Sequence, residues 1–214
     1  MIFQGKKVAE VGCGTGYTAF KVLETGRASF VKAFDFSDEA ICRAKDMFIS
    51  PKLEYLVVSF DDLDEKFDCI IMQEVIEHVD SPFDILLKMK SKLNSNGFIV
   101  ITCPNFLNIR GIIWMTLQIL FNVPMSLSDK NFLNPSDFIS FAEKLDMELE
   151  WKTFKYEQAH KEEMFIDMKK RLTNALKDAG LKNNNVDKLL SWIRNVTDNE
   201  SDTRTNGFYK LSLR

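Results

Sequence analysis

Hydrophobic positions along this chain come in short, dense runs separated by stretches of helical spacing. Lys6 to Gly12, Ser29 to Phe36, Leu53 to Ser59, Phe67 to Gln73 and Phe98 to Cys103 read as five strands. The first two are apolar on both faces, as strands buried in a parallel sheet are. Between them, Thr15 to Thr25 reads as a helix closed by Gly26 at its C-cap, and Ser37 caps a helix running to about Phe48. An acidic loop, Asp61 to Glu65, precedes the fourth strand. Pro82 to Leu93 is a further helix, and Asn94 to Gly97 a turn. Strands alternating with helices predict a parallel sheet covered on both faces.

After Pro104 the pattern changes. Asn108 to Phe121 is an almost wholly apolar helix. Pro135 to Lys144 is a second, with Asn134 as N-cap and Pro135 at its first position. Met147 to Tyr156 reads as a sixth strand. Glu162 to Ala179 is an amphipathic helix in which Phe165, Met168, Leu172 and Leu176 recur at helical spacing before Gly180 ends it. Val186 to Val196 is a short helix, Asp198 to Asn206 a polar loop, and Phe208 to Leu213 a last strand that completes the sheet. No internal repeat or low-complexity tract interrupts the series.

Composition narrows the class. The 214 residues suffice for one domain, or one domain with an insertion, and a sizeable core. Apolar content of 45% and charged content of 28% are those of a soluble globular protein. A net charge of −3 argues against nucleic acid as the default partner. Cys13, Cys42, Cys69 and Cys103 form no C-x-x-C pair and read as buried, reduced thiols. Nothing before the first strand reads as a signal peptide, so the expected location is cytoplasmic. The apolar stretch Gly111 to Phe121 is too short to span a bilayer and carries Gln118.

The chemistry begins at Val8-Ala9-Glu10-Val11-Gly12-Cys13-Gly14-Thr15-Gly16. Three alternating glycines between a strand and a helix let the backbone approach a ligand that any Cβ would push away. That turn lies at the carboxyl end of a strand, where open α/β sheets bind ligands. Asp35, at the end of the second strand, is placed either to accept hydrogen bonds from ribose hydroxyls or to support the next helix. Phe36 beside it either flanks a base or packs. A nicotinamide enzyme would carry G-x-G-x-x-G, whereas here the third glycine is one position early.

The E-x-G-x-G-x-G pattern resembles motif I of class I S-adenosylmethionine-dependent methyltransferases. The later segment F-D-x-I-x-x-x-E-V-I-E-H-V (Phe67 to Val79), followed by Pro82 and a helix, resembles that family's motif after strand four. The resemblance covers Lys7 to about Thr153. It implies a Rossmann-like, doubly wound α/β fold: a seven-stranded, mostly parallel sheet with its last strand antiparallel, plus helical insertions. It implies one domain over 1–214, with a cofactor-binding half (1–105), an apolar helical insertion (106–130) and a second helical insertion (157–205). S-adenosylmethionine would be held by Glu10, Gly12, Cys13, Gly14, Gly16, Tyr17, Asp35, Phe36, Ser59, Phe60 and Gln73. Many members have Asp-Ala where Ser59-Phe60 stands here, so Phe60 would cover the adenine instead. His78 and Glu77 would serve catalysis, with His78 as base toward a hydroxyl acceptor, because an unperturbed imidazole titrates near neutrality.

Within the family, the E-x-x-E-H residues, the helical insertion and Asn134-Pro135-Ser136-Asp137-Phe138 are similar to the O-methyltransferases of ubiquinone biosynthesis. That subgroup implies a divalent cation such as Mg²⁺ at Glu74, Glu77 and His78, three residues that share a face if a helical turn follows Gln73. The expected function is methyl transfer from S-adenosylmethionine to a small-molecule acceptor at oxygen. The alternatives are a non-catalytic cofactor-binding subunit that needs a partner, and methylation of a macromolecule. Relatives carry one or two helices before the first strand. Either such helices belong to a longer chain, or the insertion Phe106 to Ser128 takes their place. That insertion has three readings: packing against the sheet edge or the C-terminal helices, a lid over an apolar acceptor, or a peripheral membrane or dimer contact through 106–128. His160 reads as a surface or lid residue. Lys152 to Arg194, with ten basic and six acidic residues, reads either as a solvated face or as one that favours anionic substrates or lipid head groups.

Overall fold

A computed structural model describes residues 2–58, 64–106, 108–126, 128–154, 158–199 and 206–213, with backbone only for 154, 158–161 and 195–199. Seven strands, β1 (Lys7–Val11), β2 (Phe30–Asp35), β3 (Leu53–Val57), β4 (Phe67–Gln73), β5 (Leu93–Pro104), β6 (Met147–Phe154) and β7 (Asn206–Leu213), form one sheet in the order β3-β2-β1-β4-β5-β7-β6. β7 runs antiparallel to both neighbours and the rest are parallel. The order reverses at β1, which pairs with β2 on one side and β4 on the other. The turns after these strands therefore meet over one crevice, the topological switch point.

Helices α1 (Tyr17–Glu24), α2 (Asp38–Met47), α3 (Pro82–Ser91) and α5 (Pro135–Lys144) cover the sheet. Successive residues of the central strands point to opposite faces, and both faces are buried. Cys69, Ile71, Phe98 and Val100 meet Ala19, Val22 and Leu23 of α1 and Ile41 and Ala44 of α2. Ile70, Met72, Ile99 and Ile101 meet Leu86 and Met89 of α3 and Phe138 and Ala142 of α5. This explains why these strands read as continuous apolar runs. Local chemistry sets the helix starts. Ser37 accepts from the Ala40 N–H, Ser81 from Asp84, and Asn134 and Asp137 form a capping box with Pro135 in the first turn.

Helices α4 (Ile109–Phe121), α6 (Gln158–Asp178) and α7 (Val186–Asn199) build a separate apolar cluster above the carboxyl ends of the strands. Trp114 of α4 is buried there with Met164, Phe165, Met168 and Leu172 of α6 and Leu190 and Ile193 of α7. Of the readings for the 106–128 insertion, packing against the C-terminal helices is the one observed. Gly111 lets α4 close on the segment before it, since a Cβ there would lie 2.2 Å from the Phe106 carbonyl oxygen. The other face of α4 leaves Ile112, Ile119, Leu120 and Phe121 exposed. Among the described residues no helix is long and apolar enough to cross a membrane.

Several boundaries differ from the sequence pattern. Gly26 does not take a left-handed C-cap conformation; Arg27 does, at φ 57°. Gly26 is instead a close-approach position, where a Cβ would lie 2.4 Å from the Val22 carbonyl. Asn94 to Gly97 is not a turn before β5 but a bulge inside it. Leu93 already pairs with Phe67, the register shifts before Phe98 meets Cys69, and Asn94 bonds Asp68 across the bulge at 2.8 Å. Helix α7 runs on to Asn199, past the Val196 end read from the sequence. Cys42 is exposed on α2, whereas Cys13, Cys69 and Cys103 are buried. Tyr156, expected to end β6, lies outside the described residues.

The packing makes one stability prediction. Tyr209 of β7 is fully buried and stacks on Phe138 at 3.6 Å between ring centroids, yet its hydroxyl has no hydrogen-bond partner among the described residues. Tyr209→Phe removes a stranded polar group and is expected to keep or raise the melting temperature. Tyr209→Ala removes the stack and should cost about 3–5 kcal/mol. Thermal denaturation of both variants checks the pair.

Candidate functional site

The glycine turn after β1 is held by backbone and by one carboxylate. The Gly12 and Cys13 N–H groups both donate to the Phe34 carbonyl of β2, at 2.8 and 2.9 Å. Asp35 accepts from the Gly14 N–H at 2.8 Å through one oxygen and from the Ser37 N–H at 2.9 Å through the other. It thus joins the glycine turn to the start of α2. Each carboxylate oxygen keeps a second acceptor position. Gly12, Gly14 and Gly16 all have positive φ. A Cβ on Gly14 would meet nothing within 4 Å, so this part of the turn faces open space. Phe36, next to Asp35, is 93% exposed, which leaves its whole ring available at the crevice.

Beneath the turn lies Glu10, only 2% exposed. Burial pushes its carboxyl up to about 8; the Ala19 backbone N–H partly offsets this and the Asp35 charge adds to it. One of its oxygens has no partner among the described residues. Burial likewise pushes the Cys13 thiol up to about 12, so it is inert as a nucleophile.

The turn after β4 packs directly on the glycine turn. A Cβ on Gly12 would lie 2.5 Å from a Val75 methyl, and Thr18 of α1 donates to Gln73 at 2.7 Å. Glu74 takes a left-handed conformation, φ 51°, and accepts from Asn206 at 3.4 Å. A hydrogen-bonded turn follows, with the His78 N–H donating to the Val75 carbonyl at 2.9 Å. The turn is a single one, and Glu74 stands outside it.

Glu74, Glu77 and His78 line a cavity of about 280 Å³ between the strand ends and the helical cap. His78 Nδ1 lies 3.0 Å from the Ser128 carbonyl and 3.4 Å from Asp129 Oδ1. A carbonyl only accepts, so Nδ1 carries the proton of the neutral ring and Nε2 keeps its lone pair. Nε2 is 3.8 Å from Glu77 Oε1, beyond hydrogen-bond distance. Glu77 is 3% exposed. Burial, with Glu74 and Asp129 adding to it, pushes its carboxyl up to about 7.

Around the crevice the three glycines, Cys13, Asp35 and Gln73 stand on one side, with Glu10 beneath them and Phe36 exposed beside Asp35, and Glu74, Glu77 and His78 stand on the other. Tyr17 follows Gly16 at the start of α1, but its ring meets Phe48 edge-on at the end of α2, 6.2 Å between centroids. Ser59 and Phe60 lie outside the described residues, as does the His160 side chain. Among the described residues no group of three or more His, Cys, Asp or Glu is arranged to hold a metal ion. The motif reading missed three sets of residues. Tyr55 of β3 donates to the Gly16 carbonyl at 3.2 Å, and its ring occupies the space a Gly16 Cβ would need. Asn131 ties the post-β4 turn to the cap, its side chain donating to the Val79 carbonyl at 2.6 Å and its N–H to Glu77 at 3.0 Å. Arg110, Trp114 and Arg171 line the cavity from α4 and α6.

The family model for the methyltransferase domain matches residues 2–186. The mitochondrial ubiquinone biosynthesis O-methyltransferase of Candida albicans is 31% identical over 140 residues, 61% of this chain and 43% of that protein. The tRNA U34 carboxymethyltransferase of Campylobacter concisus is 36% identical over 98 residues, 44% of this chain and 35% of that protein. The chain thus spans less than half the length of these curated relatives. A SAM-dependent methyltransferase structure from Archaeoglobus fulgidus superposes with a TM-score of 0.65 over 99% of this chain and 88% of that one, at 17% identity, a likeness of fold. With the motif order, the reversed sheet topology and a family match over most of its length, the chain belongs to the methyltransferase domain family and has the fold of class I S-adenosylmethionine-dependent methyltransferases.

Proposed function

We propose that this chain binds S-adenosylmethionine at the glycine turn and transfers its methyl group to the hydroxyl of a small molecule held in the cavity beside His78. One observation carries the reading: Val75 sits where a Gly12 Cβ would be, so the turn bearing Glu74, Glu77 and His78 lies directly on the glycine turn. A ligand against Gly14 and an acceptor beside His78 are then neighbours.

The residues fit the cofactor. Asp35 has acceptor positions for ribose hydroxyls, Phe36 offers an open ring to a base, and Gly14 has room above it. Glu10 supplies a buried carboxyl with an unpartnered oxygen, among the described residues, under the turn. When bound, S-adenosylmethionine supplies a methyl carbon already activated by positive sulfur. The chain's part is alignment and exclusion of water, effects worth roughly 7–11 kcal/mol in favourable intramolecular cases. His78 Nε2 is the one imidazole lone pair among the described residues of the cavity and takes the acceptor's proton. The reading needs no metal step. The small cavity and the net charge of −3 support a small acceptor over a nucleic acid.

Calorimetric titration with S-adenosylhomocysteine tests the cofactor site. Asp35→Ala should weaken binding about tenfold or more. Phe36→Ala, which removes a fully solvated ring, should weaken it about fivefold or more without moving the melting temperature. Unchanged affinity in both would sink the reading. On an acceptor that turns over, His78→Ala should lower kcat about 100-fold and leave S-adenosylhomocysteine affinity intact; an unchanged kcat removes His78 from the chemistry.

Glu10 generates a prediction with opposite signs for stability and binding. The folded chain keeps the Glu10 proton up to about pH 8, while a carboxyl in the unfolded chain loses it near 4.5. Stability therefore falls as pH rises between these values. Glu10→Gln should melt a few degrees above the parent at pH 8, with a smaller difference at pH 5, yet bind S-adenosylhomocysteine more weakly. A variant destabilised at pH 8 would contradict this.

A further inference from the structure

The helical side of the cavity is built for negative charge. Arg110 of α4 and Arg171 of α6 both stand over the indole of Trp114, at 5.1 and 5.5 Å from ring to guanidinium carbon. Asp167 accepts from Arg110 at 3.1 Å and from Arg171 at 2.9 and 3.0 Å, and Arg171 also donates to the Met125 carbonyl at 3.3 Å. The two cations are thus fixed in place by an aromatic platform and a shared carboxylate instead of swinging in solvent. All three side chains, Arg110, Trp114 and Arg171, face the same cavity as His78. Trp114 is only 3% exposed, and its indole N–H has no acceptor among the described residues. Buried indole N–H groups ordinarily find one. A ligand oxygen in the cavity would supply it.

The acids of the cavity gather at the other end. Glu74, Glu77 and Asp129 surround His78 at the strand ends. An anion at that end would be repelled, whereas a neutral hydroxyl would be accepted. The cavity is therefore bipolar, with carboxylates and the imidazole on the sheet side and guanidinium and indole donors on the helix side.

Resting on the methyl-transfer reading, we infer that the acceptor is a small hydroxyl compound bearing a carboxylate or phosphate remote from the reacting oxygen, and that Arg110, Arg171 and the Trp114 N–H bind this anionic group. Planar guanidinium forks match carboxylate and phosphate oxygens, and charge-assisted hydrogen bonds are roughly twice as strong as neutral ones. Anchoring the anion at the helix side orients the hydroxyl toward His78. Arg110, Arg171 and Trp114 are then specificity residues, with no part in the proton transfer.

The test titrates the full chain, with and without S-adenosylhomocysteine, against 4-hydroxybenzoate, hydroquinone monophosphate and phenol. The three probes share a phenolic hydroxyl and differ in the anion. At least one anionic probe should bind about tenfold or more tighter than phenol, and which one binds tighter separates a carboxylate from a phosphate acceptor. Arg110→Gln or Arg171→Gln should abolish that preference. Trp114→Phe, which keeps a ring and deletes the N–H, should weaken the anionic probe about threefold or more and leave phenol unchanged. Equal affinities for the three probes, no binding of either anion, or a preference that survives both arginine variants would overturn the inference. Bound S-adenosylhomocysteine without an anion preference sinks this inference alone. An anion preference without S-adenosylhomocysteine binding sinks the methyl-transfer reading instead.

Discussion

The carboxyl end of this sheet depends on the way Asp35 and the Phe34 carbonyl hold the glycine turn. Two backbone N–H groups converge on Phe34, and a third donates to Asp35, whose other oxygen caps the entry to α2. The turn can take this shape because Gly12, Gly14 and Gly16 accept positive φ. It can also be packed from two sides. Val75 fills the space beside Gly12, and Tyr55 the space beside Gly16. Only Gly14 is left facing the crevice. The same contacts that fix the loop therefore decide which part of it a ligand can reach.

That constraint passes to the second turn. Val75 rests on Gly12, so the Glu74–His78 segment packs on the glycine turn, and Asn131 fastens it from the cap side. His78 then receives its tautomer from the Ser128 carbonyl. Two buried carboxyls, Glu10 and Glu77, are held well above the ordinary carboxylate range within this arrangement. Groups so placed cost stability as the pH rises through the range in which a solvated carboxyl would ionise.

Much of this was legible in the chain because the signals are local. The strand Phe67 to Gln73 has the same limits in sequence and structure, and Ser37 and the Asn134-Pro135 start cap the helices they were read to cap. The glycine spacing and the acid at Asp35 marked one half of the candidate site, and the E-V-I-E-H segment the other. What escaped is what depends on distant partners. Tyr55 meets Gly16 across 39 positions, and Arg110 meets Asp167 across 57. No spacing rule reaches so far. The apolar helix Ile109–Phe121 could be assigned a length but not a partner, since its buried Trp114 is matched by residues of α6 and α7 some fifty or more positions later. The bulge at Asn94–Gly97 looked like a turn because bulges and turns use the same residues, and only the pairing of Leu93 with Phe67 separates them.

Whether the glycine turn and the His78 cavity are two halves of one methyl-transfer site is decided by a crystal structure with S-adenosylhomocysteine. Adenosine is expected across the ends of β1 and β2, its ribose on Asp35 and its base against Phe36, with the sulfur facing the cavity beside His78. Adenosine bound elsewhere, or a sulfur turned away from Glu77 and His78, would contradict it.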